Sequence, residues 1–327
     1  KEYADLYKDA PIKPCVKATS PLSWLAEENK NIVDYPNETV LKRFKELYYS
    51  AITLVDTQIQ RILDVLKETG ELDNTLILFC SDHGEMLGDL GTFQKFLPHD
   101  ASARIPMILR YPPKIKAGTQ SDALVSLSDI LPTILDLLNI PYPAPHALIG
   151  KSLFDLTDRS STILEHGKYE RRWLSIVTVN YKYTYYYGGA REELVDRIKD
   201  PYEQINLMDK PDASIRKLAE GFKAQLLDWE FKHGLSDHLI DGNFVQYASP
   251  TPMVFAGTGP IIFPSVINDP IERSQIASLA SQIINSVQHE ASIDLSRHDF
   301  SYMIKTGQLT LADVESIILA DKKNKGR

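Results

Sequence analysis

Apolar positions along the chain fall first into a helical stripe. Val40, Leu41, Phe44, Leu47, Tyr48, Ala51, Val55, Ile59, Ile62, Leu63 and Leu66 recur at mostly three- and four-residue spacing over many turns. Asn37 suits the cap before it, and Thr69-Gly70 suits the stop, because glycine can take the left-handed conformation. Thr75 to Cys80, TLILFC, is an unbroken apolar run, the pattern of a parallel strand covered on both faces. Two more runs, Ile105 to Tyr111 and Ala123 to Leu127, read as strands. The second leads into a helix through Ile130, Ile134, Leu135 and Leu138 that Ser128 can cap. Strand and helix in alternation predict an α/β sheet with helices on its faces across residues 1–156. Such sheets gather polar groups at the carboxyl ends of their strands, which places Asp82 and His83 at the mouth.

After Leu156 the pattern changes. Trp173 to Val179 and Lys182 to Tyr187 are rich in β-branched and aromatic residues, with Asn180 between them, and read as an antiparallel pair. Glu193 to Arg197 is a further short strand. A helix from about Pro211 to Lys232 carries Ile215, Leu218, Ala219, Phe222, Leu226 and Trp229 on one stripe, with its proline in the first turn. Residues 157–236 therefore read as a small α+β subdomain of antiparallel sheet plus helix. Residues 237–327 form an extension. It holds a Pro/Gly-punctuated apolar stretch, Tyr247 to Pro264, and two helices, one opened by Asp269-Pro270 with Glu272 and one by Thr310 with Asp313. The irregular, Pro-containing opening of the chain, roughly 35 residues long, is unusual inside a compact domain. It suggests the later part of something longer.

Composition narrows the classes. The chain has 327 residues, 43% of them apolar and 24% charged, which is ordinary globular usage. Lys and Arg number 36 against 44 Asp and Glu, and the net charge of −8 disfavours a sequence-independent grip on nucleic acid. No apolar stretch reaches the roughly 18 residues of a membrane span. Two cysteines, Cys15 and Cys80, do not define a redox compartment.

Asp82 and His83 are the first candidate for chemistry. Neighbours on an extended strand point to opposite faces, so both converge only if the chain turns there, and Gly84 permits a turn. A carboxylate oxygen and an imidazole nitrogen make a reasonable pair of ligands for a divalent cation. Equally, Asp82 can cap a following helix and His83 can be a satisfied polar residue. Ser236-Asp237-His238 repeats the triplet after a polar helix end and reads as a helix terminus. His99 beside Asp100 offers a base–orienter pair, and Glu165-His166 reads as a loop pair.

The run TLILFCSDHGEMLGDLGTFQKFLPHDASARIPMILRYP resembles the sulfatase family, within the alkaline phosphatase superfamily. Asp82, His83, Gly84, Glu85, Leu87, Gly88, Gly91, Lys95, Asp100, Arg104, Ile105 and Pro106 fall into the family's register. Ser126 to Pro141, Gly150-Lys151-Ser152-Leu153, and YKYTYYYGG followed by LVDRIKDPYEQINLM agree in order. The last resembles the family's "DP-E–NL" stretch. The resemblance covers about residues 1–232 and implies part of a mixed sheet flanked by helices, with a small C-terminal subdomain. It implies that Asp82 and His83 ligate a divalent cation, usually calcium with magnesium or manganese as alternatives, and that Lys95 contacts a sulfate oxygen. His99, which follows Lys95 in this register, is a candidate substrate contact.

The departures are as informative. The family nucleophile is a formylglycine made from a C/S-x-P-x-R motif, and neither Cys15 nor Cys80 nor any serine sits in one. The family's Asp-Asp ligand pair is also missing from the sequence. The expectation is a portion of a sulfate-ester hydrolase acting on a small-molecule or carbohydrate ester. Phosphodiester or phosphonate monoester hydrolysis and a non-catalytic binding module are the alternatives. The extension is a candidate surface for a homo-oligomer.

Overall fold

A computed structural model describes residues 3, 5–17, 19, 38–142, 148–156, 159–235 and 237–249. The described residues belong to one compact unit, Lys1–Ile261. The Asn37 cap, the stretch from Pro250 to Pro264, both helices of the extension and any oligomer contact through them lie outside the described residues.

The periodic stripe forms helix α1, Glu38–Glu68, and Gly70 follows with a φ of 76°. Leu41, Phe44, Leu47, Ile59, Leu63 and Leu66 are half-buried. Ile52, Val55, Ile62 and Val65 line an uncovered stripe. Strand β1, Ile77–Cys80, comes next. Helix α2, Asp100–Ala103, then leads into β2, Met107–Arg110. The two strands pair antiparallel, with Phe79 opposite Ile108, so the parallel expectation for TLILFC is corrected. An unbroken apolar run shows that both faces are suited to cover, but carries no strand direction; residues 81–106 bring the chain back alongside β1. Phe79 and Ile108 are 37% and 61% exposed, which leaves one face of the ribbon open.

Ala123–Leu127 forms no strand. Ser126 is extended and caps the turn Leu127–Asp129 in a capping box, its Oγ accepting from the Ser128 amide while the Asp129 carboxylate accepts from the Ser126 amide. The cap is therefore Ser126 rather than Ser128, and helix α3, Ile130–Leu138, follows. Asp129 is fully buried. Its carboxylate also takes the Lys151 amide at 2.9 Å and both terminal nitrogens of Arg159 at 2.5 and 2.8 Å. Gly150 lies flat on this knot, since a Cβ there would stand 2.0 Å from the Ser128 carbonyl oxygen.

The later half is a four-stranded antiparallel sheet in the order β3-β4-β5-β6: Ser161–His166, Trp173–Thr178, Tyr181–Tyr186 and Arg191–Asp196. Edge strand β3 ends on Glu165-His166, which is thus strand rather than loop. Alternation gives the sheet two faces. Leu174, Ile176, Tyr183, Tyr185 and Leu194 pack with Ala219, Phe222 and Leu226 of helix α4, Ala213–His233. The opposite face brings Trp173 and Tyr186 against Met86, Leu90 and Leu97. Asp212 caps α4 by accepting the Ser214 and Ile215 amides, so Pro211 precedes the cap instead of filling the first turn. A short hairpin, β7 Leu239–Ile240 with β8 Asn243–Phe244, adds Phe244 to the core.

Replacing Asp129 by alanine strands the Arg159 charge against a buried site and should destabilise the fold by about 3–5 kcal/mol. A urea melt followed by circular dichroism measures this; a shift within error of zero contradicts the role given to the knot.

Candidate active site

At the exit of β1 the chain leaves its extended course, and the two neighbouring side chains meet. His83 Nε2 lies 3.4 Å from Asp82 Oδ2. His83 Nδ1 contacts the Gly84 carbonyl oxygen at 2.8 Å. A carbonyl only accepts, so Nδ1 is the donor in this contact, and Nε2 is the ring nitrogen on the side of the Asp82 carboxylate. The His83 backbone amide donates to Asp82 Oδ1 at 2.9 Å and is the main cause holding this carboxyl below its ordinary pKa. The Asp82 side chain is 82% exposed, so the pair stands at an open mouth.

Gly84 serves this site differently from expectation. Its φ is not in the left-handed region; what it provides is the missing side chain. A Cβ there would sit 2.1 Å from the Ala101 carbonyl oxygen. The space lets the Gly84 and Glu85 amides donate to the Ser102 and Ala101 carbonyls at 2.7 and 2.9 Å. The Met86 amide then reaches the Gln94 carbonyl at 2.9 Å, and the Glu85 carboxylate accepts the Gln94 amide. Between these stitches Leu87, Gly88, Leu90, Gly91 and Gln94 all have positive φ. Three of the five are not glycine, and strained backbone of this kind persists only where its surroundings over-determine it.

Lys95 and His99 lie on the segment that these stitches hold. Lys95 is half-buried, with Nζ 5.7 Å from the centre of the Phe96 ring. Its carbonyl accepts from Ser102 Oγ. His99 is 7% exposed, and its Nδ1 is buried without a partner among the described residues. Asp100 does not orient it. The Asp100 carboxylate meets Lys182 Nζ at 2.5 Å and Arg197 Nη2 at 3.4 Å. Burial pushes this carboxyl up, but the two cations outweigh it and hold the group below the usual range. Neither other histidine decoy faces the mouth pair. His166 lies tilted against both Phe96 and Trp173, ring centres at 5.3 and 5.9 Å, and burial lowers its pKa. His238 is fully buried, with Nδ1 2.5 Å from Glu230 Oε1, which makes His238 a structural anchor.

Sequence reasoning passed over Trp173 and Lys182. The Trp173 indole donates to the Phe96 carbonyl at 2.9 Å, and Lys182 reaches the Pro98 carbonyl at 2.9 Å. A signal existed for Lys182. Period-two alternation puts it on the same face of β5 as Thr184 and Tyr186, where a strand buried on both sides tolerates a charge only if it is paired.

The donor set fits part of a cation site. Two donor atoms about 3.4 Å apart can share an ion at calcium-like distances of roughly 2.3–2.6 Å. The Nδ1–carbonyl contact is the kind that fixes the tautomer of a metal-bound imidazole. Calcium takes roughly six to eight ligands. Among the described residues no group of three or more His, Cys, Asp or Glu side chains is set to hold a metal ion.

Comparison with known proteins bears on the family. The sulfatase family profile matches residues 14–140, and that of the N-sulphoglucosamine sulphohydrolase C-terminal region matches residues 88–232. The chain is 35% identical over 226 residues to an arylsulfatase of Clostridium perfringens, covering 64% of this chain and 46% of the relative. It is 33% identical over 178 residues to an N-acetylglucosamine-6-O-sulfatase of Bacteroides thetaiotaomicron, covering 50% and 32%. A phosphonate monoester hydrolase of Agrobacterium radiobacter superposes with a TM-score of 0.54 at 27% identity, over 65% of this chain and 47% of that one. Residues 14–232 match models of the sulfatase family, whose α/β class the chain shares. It spans less than half the length of these relatives. No helix among the described residues is long and apolar enough to cross a membrane.

Gly84→Ala should cost about 1–3 kcal/mol through overpacking, or force the 84–102 stitch open. Hydrogen exchange at the Gly84 and Glu85 amides distinguishes this from a neutral change. Acid should loosen the same segment. The folded pKa of Asp100 is depressed, so its contribution is complete above the unfolded value of about 3.9 and is lost as pH falls below it through the folded value. Exchange at the Asp100 amide near pH 3 and pH 6 tests the direction.

Proposed function

We propose that this chain supplies the later part of a sulfate-ester hydrolase, with Asp82 and His83 as two ligands of a divalent cation and Lys95 as a contact to the sulfate. The observation that carries the reading is the mouth pair, with His83 Nε2 beside Asp82 Oδ2, on a turn stitched to the segment bearing Lys95. Sulfatases in general use a divalent cation and a formylglycine. Calcium is the ion we assign, with magnesium or manganese as alternatives. When bound it polarises the ester oxygens as a Lewis acid. Asp82 balances part of its charge, while His83 holds position through its Gly84 contact. The Lys95 ammonium suits a tetrahedral oxyanion as a compact point charge, neutralising sulfate oxygens and the leaving oxygen. In this reading His99 is a further candidate contact to the substrate.

The residues present do not supply the formylglycine. Cys15 is followed by Val16-Lys17 and Cys80 by Ser81-Asp82, neither of which fits C/S-x-P-x-R. The nucleophile and remaining ligands therefore belong to a further portion of the sulfatase fold. The uncovered stripe of α1 and the open face of the β1–β2 ribbon are suited to receive it. The N-acetylglucosamine-6-O-sulfatase relative supports a sulfated sugar as the substrate class. The phosphonate monoester hydrolase likeness supports the second reading, phosphonate or phosphodiester hydrolysis.

In the natural full-length protein, Asp82→Ala and Lys95→Ala should each lower kcat for an aryl sulfate by about 10²–10³-fold. Turnover of an aryl phosphonate monoester in preference to the sulfate moves the assignment to the second reading. The 327-residue chain by itself should show no turnover across a calcium titration, and robust hydrolysis by it would overturn the division of labour described above.

A further inference from the structure

Between Lys95 and Asp100 the loop is fastened at almost every second residue. The Lys95 carbonyl is held by Ser102 and the Phe96 carbonyl by the Trp173 indole. The Pro98 carbonyl and the Asp100 carboxylate are both held by Lys182, and the Asp100 amide donates to Glu203 Oε2 at 2.6 Å. Trp173 and Lys182 stand on β4 and β5. Glu203 stands on the turn after β6. The fasteners thus come largely from the C-terminal sheet, far along the chain from the loop they hold.

Lys182 is only 3% exposed, a position an ammonium occupies at high cost unless fully engaged. Its Nζ lies against three oxygens: it donates to the Pro98 carbonyl and Asp100 Oδ1, and meets Glu203 Oε1 as an ion-pair contact at 2.5 Å. Arg197 completes the group on Asp100 Oδ2, so two cations balance two carboxylates. Glu203 reaches the loop from a left-handed backbone, with φ of 55°, in the turn opened by Asp200-Pro201. The Asp200 carboxylate accepts the Ile205 amide at 2.8 Å, and Asn206 Oδ1 accepts the Leu194 and Met208 amides at 3.0 Å each. Most of the DPYEQINL stretch is thus occupied in presenting one carboxylate. The cluster brackets His99 on both sides, through Pro98 and Asp100, and fixes the end of the segment that begins at Lys95.

We propose that Lys182 and Glu203 are positioning residues, through which the C-terminal sheet sets the placement of Lys95 and His99. The loop-fastening role stands on the contacts above; the consequence for turnover rests on the sulfate-ester reading. Ion clusters that serve stability alone are often replaceable by apolar residues. This one differs in holding the segment that directly follows the strained backbone of Leu87, Leu90 and Gln94, where backbone freedom would spread the side chains that meet substrate.

The test uses Lys182→Met, Glu203→Gln and Glu203→Ala in the natural full-length protein. Amide exchange of Gly84, Glu85 and Asp100 should accelerate by about tenfold or more in Lys182→Met and Glu203→Ala, while amides of β4 to β6 keep their wild-type rates. With an aryl sulfate, kcat should fall by about 10–100-fold in those two variants with KM changed by less than roughly threefold, since a displacement of an ångström is enough to do this. Glu203→Gln keeps an acceptor for the Asp100 amide and should recover most of the exchange protection and rate. Uniform acceleration across loop and sheet, or unchanged exchange at the three loop amides, overturns the proposal. So does local loosening with kcat intact. If Lys182→Met does not fold, the Glu203 pair decides the question alone. A wild-type protein that hydrolyses no sulfate ester defeats the functional reading, while the exchange pattern still decides the fastening.

Discussion

The close approach of two backbone stretches at Gly84 is the constraint from which the site follows. Where most residues would carry a Cβ, the chain instead lies against Ala101 and Ser102 and exchanges amide–carbonyl bonds with them. That contact ends β1 and turns the chain so that Asp82 and His83 meet at the mouth. It also returns the 94–102 segment to the same place. The candidate cation pair and the candidate sulfate lysine share one scaffold because a single side chain is missing.

The same segment then becomes the floor of the C-terminal sheet. Met86, Leu90 and Leu97 pack on Trp173 and Tyr186, so the four-stranded sheet does more than decorate the earlier part of the chain. Buried charge marks each join. Asp129 with Arg159 ties the start of α3 to the entry of β3. Lys182 with Asp100 and Glu203 ties the loop to β5 and to the turn beyond β6. Arg172 bridges Glu165 and Glu230, and Glu230 also takes His238, which ties β3, α4 and the final hairpin. Desolvation makes such clusters poor sources of net stability, and the pairings they permit are few. Their use here is to select one arrangement of distant segments.

Much was readable from residue pattern. The α1 stripe, the Gly70 stop, the apolar runs of β1 and β2, the β4–β5 pair around Asn180 and the α4 stripe all depend on local periodicity, which a chain displays whatever its partners. The family resemblance was legible too, in the ordered set around Ser81-Asp82-His83-Gly84 with Lys95 downstream, because the sulfatase models match the same stretch of chain. Helix starts were less so. Ser126 and Asp212 prevailed over Ser128 and Pro211 because the cap is whichever oxygen actually reaches the free amides.

Three things only the folded chain decided. Strand direction came from the path of residues 81–106, since TLILFC reads alike in either orientation. The role of Gly84 came from what stands opposite it, and a sequence does not record who its neighbours across space will be. The duties of Lys182, Glu203 and Asp129 arose the same way. A lone charge in a sequence defaults to solvent, and only the burial around it, with oxygens or guanidinium groups arriving from other elements, turns it into a fastener.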